Sequence, residues 1–234
     1  MNYKDYIKYG KDNQGRQRYK HKVTGTVTIN PDNNKESYNN IVEKAIYLYA
    51  YEGIPLRKIA RLFEVSHTTI MRWVHGRSKT TDYTSDIDVD TITEVQIDEI
   101  YVITKKKKIR AEHEYLYVAI DQMSRRILNF HYGVRCAKDT KVFLNRLLCK
   151  FKNIKIVHSD AYSPYKSYFK RVKIVNKITH TVTKNLTTHI ESLNSVIRHR
   201  LSAFDRRSRN FMKKSENLLS VFTMFSYNYN YQLL

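Results

Sequence analysis

Apolar and polar positions alternate most clearly in residues 93–102, TEVQIDEIYV, where Val95, Ile97, Ile100 and Val102 are separated by polar residues. This predicts a strand whose period wavers around the acidic pair Asp98 and Glu99. Burying an unpaired carboxylate is costly, so an acid here is either solvated at a strand edge or balanced by a cation or a metal. Two further strands are expected over 115–121 (YLYVAID) and 126–134 (RILNFHYGV), joined as a hairpin across 122–125. Residues 137–151 repeat Val142, Phe143, Leu147 and Leu148 at helical spacing, and 153–160 (NIKIVHSD) follows as a short apolar strand ending at an acid. Residues 162–169 suit a short helix and 172–175 a last strand. Sheet, helix, strand, helix, strand is a mixed α/β order.

The flanks read as helical. Over 39–51, Ile41, Val42, Ala45, Ile46, Leu48 and Tyr49 recur at helical spacing, and Gly53 closes this helix after a loop at 30–34 marked by Asn-Pro-Asp-Asn-Asn. Residues 56–63 (LRKIARLF) form a second helix. After a break at Glu64-Val65, Ser66 caps a third, HTTIMRWVHG, ended by Gly76. This is a helix-turn-helix pattern, although Glu64 stands where glycine often occupies the turn. Ile70 and Trp73 would pin the third helix, leaving His67, Thr68, Thr69 and Arg72, with Arg57 and Lys58 before them, free to meet a DNA groove. Residues 79–92, rich in Ser, Thr and Asp, read as a linker. Toward the end, Ile190, Leu193, Ile197, Leu201 and Phe204 share one helical face beside a polar stripe of Glu191, Asn194, Arg198 and Ser202. A final helix over 214–229 would bury Leu218, Leu219, Phe222 and Phe225. Residues 1–30 suggest a small hairpin, and Lys105 to Lys108 a solvated hairpin tip.

Charge narrows the partner. Forty-two Lys and Arg against twenty-two Asp and Glu give a net charge of +20 spread along the chain. A compact protein so charged repels itself unless it meets a polyanion, and double-stranded DNA fits best. No apolar run reaches the roughly twenty residues that span a bilayer, and the start, MNYKDYIKYGKD, lacks a secretory apolar core. A cytoplasmic, nucleoid-associated protein with no membrane partner is expected. Cys136 and Cys149 are the only cysteines and form no CxxC pair, which excludes a cysteine-built zinc site.

Three acids could supply chemistry. Asp98 on the first strand of the sheet, Asp160 at the end of a later one and Glu191 early in a helix converge only if the sheet sets those strands side by side. A ribonuclease-H-like sheet does so. Gathered carboxylates repel one another, and divalent cations relieve this; two Mg²⁺ ions would activate a water or 3′-hydroxyl for in-line phosphodiester displacement. Singly, each acid has an ordinary reading as strand edge, helix cap or first-turn acid. Glu99, Asp121 and Asp139 compete less well, because alternation turns Glu99 to the other face and the other two look like turn and cap residues. His158 shares the face of Asp160 and could contact a phosphate or simply fill space. Asn194, Arg198 and Arg200 could orient DNA near the acids, with Arg206 and Arg207 adding charge.

The motifs QIDEIYV from Gln96, HSDAYSPY from His158 and HIESLNSVIRHRL from His189, followed by basic FDRRSRNFMKKSENL, resemble the transposases of the insertion-sequence-one type, within the DDE transposases and retroviral-like integrases. The resemblance implies a ribonuclease-H-like mixed sheet flanked by helices over 93–234, preceded by a helix-turn-helix domain over 36–78. It implies an enzyme with catalytic and metal-holding acids Asp98, Asp160 and Glu191, using Mg²⁺ with Mn²⁺ able to substitute. Such an enzyme binds terminal inverted repeats, cuts 3′ ends and joins them to target DNA as a homodimer or higher multimer. Residues 1–35 resemble the family's zinc ribbon through GRQRYK at Gly15, but His21 and Thr24 stand where a CxxC pair would be, so no zinc is expected. The alternative is a DNA-binding regulator or remnant that no longer cuts; loss of one acid would mark it, and all three are present.

Overall fold

The computed structural model describes residues 5–29, 31–102, 113–176, 178–182, 187–201, 204 and 214–233, with backbone alone at 31–38 and 173–176. The expected Lys105–Lys108 tip, Ser202, Arg206, Arg207 and most of the basic stretch after Phe204 lie outside the described residues.

Its centre is a five-stranded sheet built from β4 (Glu94–Tyr101), β5 (Glu114–Asp121), β6 (Ile127–Val134), β7 (Ile156–Ser159) and β8 (Thr179–Val182). The spatial order is β6-β5-β4-β7-β8, with β5 antiparallel to β4 and to β6, and β7 parallel to β4 and to β8. A hairpin-linked antiparallel half joined to a parallel half is the mixed sheet of the ribonuclease-H-like fold. The strand holding Asp98 is therefore central, and the one leading to Asp160 is its immediate neighbour.

Alternation along β4 divides the molecule into two apolar layers. Val95 and Ile97 face α4 (Ala137–Lys150) and α5 (Ser163–Asn176), packing with Tyr117, Ala119, Phe143, Leu147 and Tyr165. Ile100 faces the other way, toward α6 (Thr188–Arg200) and α7 (Ser215–Gln232), with Leu116, Val118, Leu193 and Phe222. The expected face of α6 is buried throughout, as are Leu218, Phe222 and Phe225 of α7, whereas Leu219 is exposed because it lies off that stripe.

The strand expected over 172–175 is instead the end of α5, and β8 begins at Thr179. Pairing parallel to β7 requires a crossover long enough to return along the sheet, and the extended helix supplies it. The loop expected over 30–34 is likewise the start of α1 (Pro31–Ala50). Proline suits a first helical position, where its missing N–H would have had no partner.

α1, α2 (Leu56–Leu62) and α3 (His67–Ser78) form the three expected helices. Ser66 caps α3, its Oγ accepting the Thr69 N–H at 3.0 Å. Glu64 takes the left-handed turn with φ +54°, a conformation that costs a non-glycine residue about 1 kcal/mol. Gly76 does not end α3, which runs two residues further, because an exposed glycine within a helix is tolerated.

These helices do not stand apart from the sheet. Ala45, Ile46, Ile59, Ile70, Trp73 and Val74 share one buried layer with α6, α7 and Ile100. Residues 79–92 are also no free linker: Ile87 and Ile92 are buried beneath α4, Asp86 O accepts from Arg126, and Asn230 donates to Tyr83 O at 2.8 Å. Two apolar anchors fix this stretch without any sustained period. At the other end, β1 (Tyr6–Lys11), β2 (Gln17–His21) and β3 (Val27–Thr28) make a three-stranded antiparallel sheet, larger than the expected hairpin.

Candidate active site

Strand register decides which acids share a face. In the parallel ladder Gln96 lies beside His158; Asp98 continues on that side of β4, and Asp160 comes two residues after His158, just past the end of the neighbouring strand β7. Glu99 points to the opposite face.

Asp98 is held at both oxygens. Its Oδ1 accepts the Glu99 N–H at 2.8 Å and its Oδ2 accepts Asn194 Nδ2 at 2.6 Å. Burial pushes the Asp98 carboxyl up to about 6, with the charge of Asp160 adding to the rise and Arg198 opposing it. Burial thus disfavours the charged form of Asp98 by more than its hydrogen-bond partners and Arg198 restore. Asp160 sits just past β7 with its side chain 45% exposed; Oδ1 accepts the Tyr162 N–H at 3.0 Å and Oδ2 the Arg135 guanidinium at 3.3 Å.

The third acid is placed by α6. Gln96 Oε1 accepts the Ile190 N–H at 2.9 Å, while Thr187, at the helix N-cap, makes no side-chain cap bond. The sheet itself therefore satisfies one of the orphan donors at the start of α6. Glu191 follows in this first turn, exposed, with Thr187 Oγ1 3.4 Å from its Oε1. One turn later Asn194 is buried against Asp98. Glu191, three residues before Asn194, lies on the same side of α6 as that bond to Asp98. Among the described residues, however, no three His, Cys, Asp or Glu side chains stand at metal-ligating spacing.

The donor types of these residues, though not their spacing, suit a hard divalent cation. Carboxylate oxygens are its preferred donors, Asp98 and Asp160 supply them, and Asn194 Oδ1 is a buried acceptor without a hydrogen-bond partner among the described residues.

The other expected DNA contacts separate into two groups. Arg57, Lys58, His67, Thr68 and Arg72 are exposed on α2 and α3, whereas Thr69 is half-buried and its Oγ1 lies 2.8 Å from Ser66 Oγ. Arg198 is half-buried near Asp98. Arg200 turns away from the acids: its guanidinium lies 4.1 Å over the Tyr51 ring, with Nη1 3.5 Å from Tyr51 O and 3.8 Å from Glu52. It joins α6 to the end of α1, a consequence of its place in the last helical turn. His158 is buried, with Nε2 2.6 Å from Glu94 Oε1, which leaves it no open path to a phosphate. Asp121 and Asp139 act as turn and helix-start residues, accepting from Ser124 and from Val134 N–H respectively.

Sequence reasoning undervalued Glu99 and missed Arg135. Glu99 is buried on the far face of β4, where burial pushes its carboxyl up to about 7 against the pull of Arg135. The guanidinium of Arg135 bonds Glu99 Oε1, and the Tyr165 hydroxyl donates to Oε2 at 2.8 Å. A charge within an apolar strand was a readable signal that a cation must lie near. Nothing in a turn arginine between strand and helix identifies it as that cation.

No curated protein matches the chain. Among solved structures, the chain is similar to the HTLV-2 integrase catalytic core domain in complex with magnesium, at 13% identity and TM-score 0.43 over 58% of this chain and 84% of that one. It is also similar to a chain of the simian T-cell lymphotropic virus intasome in complex with PP2A regulatory subunit B56 gamma, at 12% identity and TM-score 0.44 over 76% and 67%. A family profile described as a DDE domain, that of the IS240 transposases, matches residues 92–227, and so runs from the start of β4 through most of α7. The match gives the IS240 family and does not confirm the insertion-sequence-one type that the motifs suggested. With the matched stretch holding the whole five-stranded sheet and all three acids, the chain belongs to the IS240 family of DDE-domain transposases.

Proposed function

We propose that this protein binds the terminal inverted repeats of an insertion sequence, cuts their 3′ ends and joins them to target DNA, using Mg²⁺ or Mn²⁺ held by Asp98 and Asp160 with Glu191 as the third acid. The observation that carries this reading is that Asp98 lies on the central strand and Asp160 just past the end of the parallel strand beside it, with α6 bonded to Asp98 through Asn194. Bound there, divalent cations supply an activated water or 3′-hydroxyl and stabilise the leaving oxygen. Asn194 fixes the orientation of Asp98, and Arg198 adds positive charge where a DNA phosphate would approach. Arg57, Lys58, His67, Thr68 and Arg72 form the exposed set on α2 and α3 that would meet the repeat as a helix-turn-helix, with Thr69 supporting Ser66. The N-terminal sheet would need no zinc, since His21 Nδ1 already accepts the Thr24 N–H at 3.2 Å. Cutting and joining two ends calls for a homodimer or higher multimer on DNA.

The test is a strand-transfer assay on labelled DNA taken from the flanks of the gene, with Mg²⁺ or Mn²⁺. Wild-type protein should cut and join in a metal-dependent way, and Asp160→Asn should bind the same DNA without cutting. Binding by the wild type with no cleavage under either metal would overturn the proposal in favour of a regulator.

A further inference from the structure

We infer that Arg135 is a positioning residue for Asp160, anchored from the opposite face of β4 by the buried carboxylate of Glu99. The inference rests on the metal-dependent reading above and assigns two residues that reading does not use.

Glu99 is an anchor with no freedom left. Its side chain is 2% exposed, one oxygen is bonded by Arg135 Nε, and the other accepts the Tyr165 hydroxyl. Three separate elements, β4, α5 and the turn before α4, are thereby tied to one carboxylate. The guanidinium plane is steadied by Tyr162, whose ring centre lies 4.2 Å from the Arg135 Cζ. From this fixed position Nη2 reaches Asp160 Oδ2 at 3.3 Å.

Asp160 needs such a tether. It is the first residue beyond β7, nearly half its side chain is open to solvent, and the only other hydrogen bond to its carboxylate among the described residues is the turn contact from Tyr162 N–H. Tyr162 and Arg135 together occupy one direction at each carboxylate oxygen and leave a lone pair on each oxygen open. Arginine is required for this, because its Nε and Nη2 are separate donors on one rigid plane and can serve two carboxylates at once. Lysine could neutralise Glu99 but would present a single charge on a flexible stem.

The competing explanation is that Arg135 only compensates the buried charge of Glu99. Arg135→Lys separates the two. In the full-length protein, calorimetric titration with Mn²⁺ alone should show affinity reduced about 10-fold. Cleavage of flank DNA should lose about 10- to 100-fold in kcat, with KM for DNA changed by no more than about twofold. Should Arg135→Lys fold poorly, the neutral double variant Glu99→Gln/Arg135→Gln removes the buried charge, and it should fold, bind DNA and show the same losses. Wild-type Mn²⁺ affinity and kcat in either folded variant would overturn the inference while leaving the metal reading intact. Unfolding of both variants would assign Arg135 to the core alone and overturn it as well. A wild-type protein that neither binds Mn²⁺ nor cuts would remove both readings together.

Discussion

Asp139 illustrates how one side chain can fasten a helix to a sheet. Its Oδ2 accepts the Val134 N–H at 2.9 Å and its Oδ1 the His131 Nε2 at 3.1 Å, while its own N–H meets the Cys136 thiol that caps α4. Gly133 makes room for this, since a Cβ there would lie 2.6 Å from the Asp139 carboxyl carbon. Burial alone would raise the Asp139 carboxyl, but the bonds from His131 and Val134 outweigh it and hold the group below its usual 3.8. A depressed folded value means stability that is present above the unfolded value and lost as pH falls through the folded one. Asp139→Asn should therefore cost about 1–3 kcal/mol near neutral pH. In denaturant titrations the gap from wild type should close as pH drops below the ordinary carboxylate range; a gap that persists there would show that shape, not charge, holds the contact.

At the scale of elements, α6 is positioned by the sheet, and Gln96 is the means. Removing its side chain leaves the Ile190 N–H a buried donor without a partner, a loss of about 1–3 kcal/mol. Gln96→Ala should fray the first turn, seen as faster amide hydrogen exchange at Ile190 and Glu191, while Ile197 further along stays protected. Unchanged exchange at Ile190 would mean another group caps the helix. The sequence announced α6 well, because its apolar stripe repeats at helical spacing, and it announced β4 through alternation. Gln96 was not legible as a cap, since the donor it meets lies 94 positions away. The same limit explains the strand misplaced over 172–175: β-branched Val172, Ile174 and Val175 favour a strand locally, and the crossover from β7 to β8 overrides that preference. Asp98, Asp160 and Glu191 could be picked out because each stands at an identifiable place on its element. The Arg135 bridge could not, because it depends on which strand faces which turn.

For the whole molecule the decisive contact is the seam between the N-terminal helices and α6. Gly53 closes α1 with φ +71°, and a Cβ there would lie 2.0 Å from the carbonyl oxygen of Arg200, the last residue of α6. Arg200 returns across the same seam to Tyr51 and Glu52. Periodicity predicted the helices on each side but treated the first three as a separate unit, because their burial against α7 involves residues more than a hundred positions apart. The chain instead ties the surface proposed to read DNA to the helix carrying Glu191 and Asn194. Gly53→Ala combines a disfavoured backbone conformation with a backbone collision, so it should destabilise by more than about 2 kcal/mol and lower Tm by roughly 5 °C or more. Because relief requires the end of α6 to move, cleavage should fall further than DNA binding when both are measured below the melting transition. Equal losses in the two assays would mean that the helices and the sheet yield independently, and that the seam transmits nothing to the acids.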